Sequence, residues 1–596
     1  MVKSIRIGGA SGFWGDSIVA TPQLLSGNNL DFIVYDYLAE ITMSIMARAR
    51  SKDSNFGYAT DFVSSVLKLN LRQISEQKIK VLSNAGGVNP EACASAVRDL
   101  IKDQDLNLKV SVVTGDDLIE RKNEFYENKI KEMYSNISFP EPDKVASINA
   151  YLGAFPIAQA LRDGADIVIT GRSVDSAVTL GACIYSFDWK EEDFDKLSGG
   201  SLAGHIIECG TQSTGGNFTD WELSSDKLHE IGYPIVDIDS NGDFSCTKSK
   251  NTTGIVNIGT VSEQMLYEIG DPQSYILPDV ICDFSSVKIT EEKENVVRIT
   301  GAKGYPSPEK YKVSMTYADG FRGGHLCTFI GTDAAKKART YGEAIFNRSR
   351  NIMRAMNIPD YEETSIEIIG DNSQYSNEKE NNGNLEVVLK FAAKHNDIRA
   401  IGIMLKESVG LGLATPPGLS GFIGARPKPS PIIRLFSFLV PKSEVLIHIS
   451  GDTSVECNVN YGKNYNFDEI VRPIKPDYSD FEDELIDVKL IDIAYGRSGD
   501  KGNKANIGLI ARDQKFYPAL CHYVTEDLVK KSFSKFLQGN VEKYYLPGSH
   551  SINFLLHDVL GGGGPASLRN DAQGKAYAQI LLNEKIPVPK RLFNSN

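Results

Sequence analysis

The segment Tyr151–Trp221 carries the densest set of side chains able to move protons or hold charge. His205, Glu208 and Cys209 stand at spacings of three and four, so a helix would present them on one face. A His/Glu pair there suits general acid–base work. A thiol beside a charged histidine would instead be a nucleophile. The bland reading is a satisfied core histidine next to a buried cysteine. The HxxEC pattern is also half of a metal site, but no second cluster has matching spacing, so no metal is assigned. Upstream, Arg172 and Asp175 follow the apolar run Asp166–Thr170. An arginine at a strand's end, beside a helix N-terminus, suits a carboxylate or phosphate. Asp175, three residues on, could equally serve as its neutralising partner. Gln212 lies just beyond, among glycines.

Other polar groups recur wherever an apolar run ends. Gly9, Ser11, Gly12 and Asp16 follow the first such run. Their spacing matches neither a dinucleotide fingerprint nor a phosphate loop of the GKS type, yet the glycines would let backbone approach a ligand. Asp36 and Glu40 follow the second run. Asn84, Gly86, Gly87 and Asn89 follow the third, where free N–H groups could cradle an oxygen or simply cap a helix. Asp116 follows the fourth. Near the C-terminus, Arg497, Asp500, Lys501 and Asn503 crowd into GRSGDKGN, which reads as an anion-binding or domain-docking loop, or as a salt-bridged turn.

The elements needed to position these groups are strands alternating with helices. Ser4–Ile7, Asp31–Tyr35, Lys78–Leu82, Leu108–Val113 and Asp166–Thr170 each lead into a helix start. That alternation predicts an α/β fold with a parallel, doubly wound sheet, whose ligands gather at the strands' carboxyl ends. Short β-like runs at about 237–330, among them Gly254–Gly259, predict a β-rich insertion or second lobe, followed by a helix from Asp333 to about Met356. Residues 456–484 read as a linker, separating a domain at 1–455 from a small α+β domain at 485–596. In that last domain Asp487–Ala494 and Ala576–Leu582 are expected as strands.

The chain has 596 residues, more than one core holds, and a formal net charge of −13. That sign argues against nucleic acid or an anionic membrane as the main partner, while a local cluster of cations could still hold a small anion. The eight cysteines are scattered without a CxxC pair, which argues against a disulfide framework. The opening MVKSIRIGGASG has no leader-like apolar run, and the apolar stretch Pro431–Pro441 is too short to span a bilayer. A cytoplasmic protein is expected, and one of this size is commonly a symmetric homo-oligomer.

Several blocks, in order, resemble the acyclic terpene utilisation family of the AtuA type. They are IGGASGFWGDS, DYLAEITM, VLSNAGGVNPEAC, VVTGDDL, YLGAFPIAQALRDGADIVITGRSVDSAVTLG, LAGHIIECGTQSTGGNF and TPPGLSGFIGARP. GRSGDKGNKANIG is similar to the family's ferredoxin-like C-terminal domain. The resemblance implies a catabolic protein that binds or converts a branched acyl-CoA or the related carboxylic acid. Coenzyme A would then enter as part of the substrate, with no resident cofactor assigned. The expected chemistry is of lyase or hydratase type. His205 and Glu208, with Asp36 or Glu40, would move the proton. Arg172 and the Asn84 loop would hold the carboxylate or thioester oxygen. Arg497 and Lys501 would meet CoA phosphates or close the site. The alternatives are a non-catalytic subunit that partners an acyl-CoA carboxylase, and a thiol-dependent hydrolase using Cys209.

Overall fold

The computed structural model describes residues 3–16, 18–376, 383–421, 424–451, 454–478 and 484–593. Strands Ser4–Gly9, Phe32–Tyr35, Lys80–Ser83, Ile167–Thr170 and Val110–Thr114 lie side by side in that order, all parallel. Each is predominantly apolar because both faces of the sheet are largely covered. Pleating decides which core a residue joins. Phe32 and Val34 enter the core shared with helices Phe155–Arg162, Ala177–Phe187 and Phe194–Ile207. Ile33 and Tyr35 enter the other, built with helices Glu40–Lys52, Lys68–Gln77 and Pro90–Asp103.

The sheet is mixed, not parallel throughout. Pro234–Asp239 pairs antiparallel with the first strand, and Phe244–Lys248, Val296–Thr300 and Lys288–Lys293 continue that edge. Ile447–Ser450 and Ser454–Cys457 complete the other edge. The β-rich run at 237–330 is therefore not a lobe of its own: its strands are divided among the main sheet, a small sheet of Tyr275–Ile276, Ile281–Asp283 and Lys303–Tyr305, and the sheet of Lys310–Ile330. Gly254–Gly259 is not a strand either: Asn257 accepts from Thr260 N at 2.9 Å and caps helix Ile258–Leu266.

A second large sheet is centred on a strand that starts at Lys310. The long strand Lys310–Ile330 pairs antiparallel with Val145–Ala150, Glu386–His395 and Ser430–Pro441. Helices Ala334–Ala355 and Ile398–Gly410 pack on it through a separate core. The apolar stretch that ends at Pro441 is thus a strand. Among the described residues no helix is long and apolar enough to cross a membrane.

The C-terminal unit is a four-stranded antiparallel sheet with helices on it and a two-stranded ribbon, Leu485–Lys489 with Lys585–Pro589. GRSGDKGN is not a loop. Ala494–Lys501 and Lys504–Ala511 form a hairpin closed at Gly502, whose φ of 67° suits glycine. The run at Ala576–Leu582, too short for its period to choose a structure, is helix from Tyr577. Asn506 Nδ2 donates to Leu266 O at 2.7 Å and, from the neighbouring strand Ser551–Leu556, Asn553 Nδ2 donates to Ile269 O at 2.9 Å, seating this sheet on the end of helix Ile258–Leu266 and the loop after it. Arg512 grips Asp220 with both terminal nitrogens.

Candidate active site

The carboxyl ends of the parallel strands meet in one hydrogen-bonded layer. Asn84 donates its amide to Asp36 and accepts from Tyr37 N at 2.8 Å, while Ser11 Oγ donates to Asp36 O at 2.9 Å. Asp116 Oδ2 accepts from Arg172 N and from Asn149 Nδ2, both at 2.8 Å. Gly171 is required beside it, because a Cβ there would sit 2.2 Å from Asp116 Oδ1. Arg172 is 3% exposed; its Nη1 donates to Asp175 Oδ1 at 2.6 Å and to Ser173 O at 2.7 Å. Its guanidinium lies 4.3 Å from the centre of the Tyr151 ring. Tyr151 donates its hydroxyl to Glu40, and Lys312 Nζ lies 5.0 Å from the same ring.

His205 occupies the last turn of helix Phe194–Ile207, and Glu208 caps it. Spacing of three at a helix end brings Nδ1 within 2.9 Å of Glu208 Oε1. The carboxylate accepts the Nδ1 proton, so the basic lone pair is left on Nε2. That atom is buried and has no hydrogen-bond partner. Tyr275 faces the imidazole with ring centres 6.2 Å apart, and Lys501 Nζ reaches to 5.8 Å from the Tyr275 ring. Lys501 comes from the C-terminal hairpin, so the site is assembled across the domain interface. Asp175 lies at the edge of this layer, its side chain 41% exposed beside the 4% of Arg172.

Burial and charge set the protonation states. Burial, reinforced by Asp175 and Glu208, raises Asp36 well above the usual carboxylate range despite Arg172 and Asn84. Burial also raises Glu208, against the pull of His205. Burial would raise Glu40 too, but Lys312, Arg172 and the Tyr151 hydroxyl outweigh it and hold the carboxyl at about 2. Lys501 is pushed up: burial opposes its charge, but Tyr275, Glu268, Asp175 and Glu208 overcome that. Neighbouring carboxyl groups are thus pushed in opposite directions, Asp36 and Glu208 up and Glu40 down. Burial raises Cys209 well above an ordinary thiol, and Glu208, Glu268 and Asp36 add to it. A thiolate nucleophile is disfavoured there, and Cys209→Ala is expected to keep full turnover in a direct activity assay.

Asp116 carries a pH signature. Burial lifts it from 3.8 to about 7, beyond what Arg172 N and Asn149 can offset. A raised folded-state value favours the protonated form, so its stabilising contribution is complete below pH 3.8 and lost as pH rises through about 7. Asp116→Asn keeps an oxygen for both hydrogen bonds. Melting temperatures at pH 5 and pH 8 should therefore differ less in that variant than in the parent.

Several residues singled out from the sequence do other work. Gly9 and Gly12 admit the His205 segment: a Cβ on Gly9 would lie 2.4 Å from Ile207 O, and one on Gly12 2.9 Å from Gly210 N. Gly9→Ala should destabilise the fold by about 1–3 kcal/mol in urea denaturation, because backbone must shift to admit the methyl. Gly86 and Gly87 are likewise crowded, by Thr170 O at 2.5 Å and Met46 Sδ at 2.3 Å. Asn89 caps helix Pro90–Asp103 and donates to Ser54 O and Phe56 O. Asp16 accepts from Gly12 N at 2.8 Å and lines a neighbouring pocket of about 330 Å³ with Trp14 and Tyr37. Gln212 has a buried, unpartnered Oε1. Arg497 lies over Tyr267 at 4.6 Å and bonds Asn217 O, Asp500 pairs with Lys575, and Asn503 holds Asp558 and Gly562 N. Conversely, Tyr151, Tyr275, Glu268 and Lys312 enter the site without a sequence signal, except that Lys312 interrupts an apolar strand.

No curated protein and no solved structure matches this chain. Two family models do match: acyclic terpene utilisation family protein AtuA over residues 5–450, and the AtuA ferredoxin-like domain over residues 488–587. The contact of Lys501 with the Tyr275 ring joins the two matched regions, and the chain belongs to the acyclic terpene utilisation (AtuA) family.

Proposed function

We propose that this protein is a catabolic enzyme of lyase or hydratase type, moving a proton next to the carbonyl of a branched acyl-CoA or the related carboxylic acid. The observation that carries this reading is the His205–Glu208 pair, whose Nε2 is buried without a partner, with the Asp36 carboxyl and the Lys501 ammonium close enough to act on Glu208 and to be acted on by it. In this reading His205 removes or returns the proton at carbon while Glu208 fixes its tautomer. Asp36, whose protonated form burial and like charge favour, donates a proton to a departing hydroxyl, and the carboxylate left behind takes one back from an attacking water in the reverse direction. The cations of the site stabilise the enolate-like charge that builds on the carbonyl oxygen.

The test is a panel of branched enoyl- and hydroxyacyl-CoA thioesters and their free acids, incubated with the whole chain and followed by mass spectrometry. Gain or loss of one water by a panel member is the expected result. A panel left unchanged by the wild-type protein would remove the assignment.

A further inference from the structure

The loops after the first two strands and the turn before helix Lys68–Gln77 border a separate cavity of about 330 Å³, lined by Trp14, Asp16, Ile18, Tyr37, Asp61 and Val66 among others. Its chemistry is acidic and aromatic, and none of its described lining residues is a lysine, arginine or histidine. Asp16 accepts from Gly12 N at 2.8 Å and from the Tyr233 hydroxyl at 3.4 Å, and Asp61 accepts from Trp14 Nε1 at 2.7 Å. Among the described residues no ion pair reaches either carboxylate. Tyr37 is 3% exposed, and its hydroxyl has no hydrogen-bond partner among the described residues. Stacking on Tyr35 and the edge of Phe62 fix its ring. Burial pushes that phenol up, and Tyr35, Asp61 and Asp16 add to it, so both carboxylates bear on the one hydroxyl. A buried hydroxyl and two carboxylates with no counter-charge are unfavourable unless a charged donor enters among them. Trp14 supplies a ring for such a group, and Ile18 and Val66 supply apolar wall.

We propose that this cavity is a binding site for a small organic cation, an ammonium group carrying a short alkyl chain. The ammonium donates to the Asp16 and Asp61 carboxylates and to the Tyr37 hydroxyl, beside the Trp14 ring, and the chain packs on Ile18 and Val66. The same carboxylates repel phosphates and acids, so the acyl substrate proposed for the His205–Glu208 pair is not the ligand here. The two sites are neighbours: Ser11 lines the cavity and donates to Asp36 O, and Tyr37 N donates to Asn84 Oδ1. Nothing in this assignment depends on proton transfer by the histidine.

Calorimetric titration of the full chain tests this with 3-methylbutylammonium, and with 3-methylbutan-1-ol as its neutral counterpart of the same shape. Wild type should bind the ammonium at least about tenfold tighter than the alcohol. Asp16→Asn and Asp61→Asn keep an oxygen for Gly12 N and Trp14 Nε1, so each should melt near wild type yet weaken the ammonium about tenfold. Tyr37→Phe, which keeps the ring and removes the hydroxyl, should weaken it about threefold or more and guards against a misfolded asparagine variant. His205→Asn should bind the ammonium as wild type does, which separates this site from the proton-transfer assignment. No binding of the ammonium by wild type, equal binding of the alcohol, or unaltered affinity in both asparagine variants would each overturn the site.

Discussion

Turnover of the responsive acyl substrate should fall about 10²- to 10⁴-fold when His205 becomes asparagine, with the melting temperature nearly unchanged. The side chain is 4% exposed, and its one side-chain partner is Glu208 at 2.9 Å. Asparagine can still donate an amide proton to that carboxylate, so the helix end keeps its cap-side contact. What it lacks is a ring nitrogen able to accept a proton. Glu208→Gln should lose less, because the imidazole remains while its fixed tautomer does not. Turnover in His205→Asn within threefold of wild type would assign the proton transfer elsewhere.

The second large effect is on stability. Arg172→Met should destabilise the protein by about 3–5 kcal/mol, because it removes one partner of a buried charge set and leaves the others in place. Asp175 loses its 2.6 Å partner, Tyr151 its guanidinium, and Asp36 and Glu40 a cation that lowers both. Adding Asp175→Asn should recover part of the loss, since the stranded carboxylate is then neutral. Urea unfolding of the single and double variants measures both terms. A loss below about 1 kcal/mol for the single variant would mean that Arg172 is an ordinary surface pair in energetic terms.

The five parallel strands were legible because each is a continuous apolar run that stops at a polar cluster, and that pattern has few other causes. For the same reason Asp36, Asn84, Asp116 and Arg172 could be placed at one sheet edge before any geometry was known. The flanking strands were not, since residues 237–300 show only short apolar runs, and nothing local says whether such a run starts a lobe or extends an existing sheet. GRSGDKGN misled through composition: its glycines and charges look like a loop, but cross-strand pairing to Lys504–Ala511 overrides that weak preference. Gly9 and Gly12 signalled close approach correctly in kind, yet what approaches is the backbone of Ile207–Gly210. Lys312 and Tyr275 were illegible because their importance comes from long-range packing against Tyr151 and His205. No spacing rule links residues so far apart in the chain.

The most direct measurement of the central claim is deuterium incorporation from heavy water at the carbon next to the carbonyl of the hydrated product formed from 3-methylbut-2-enoyl-CoA or its free acid, followed by mass spectrometry. The proposed chemistry predicts that the wild-type protein places one deuterium there and that His205→Asn leaves the substrate at background. Equal uptake with both proteins, or none with the wild type, would contradict acid–base catalysis by the histidine–glutamate pair.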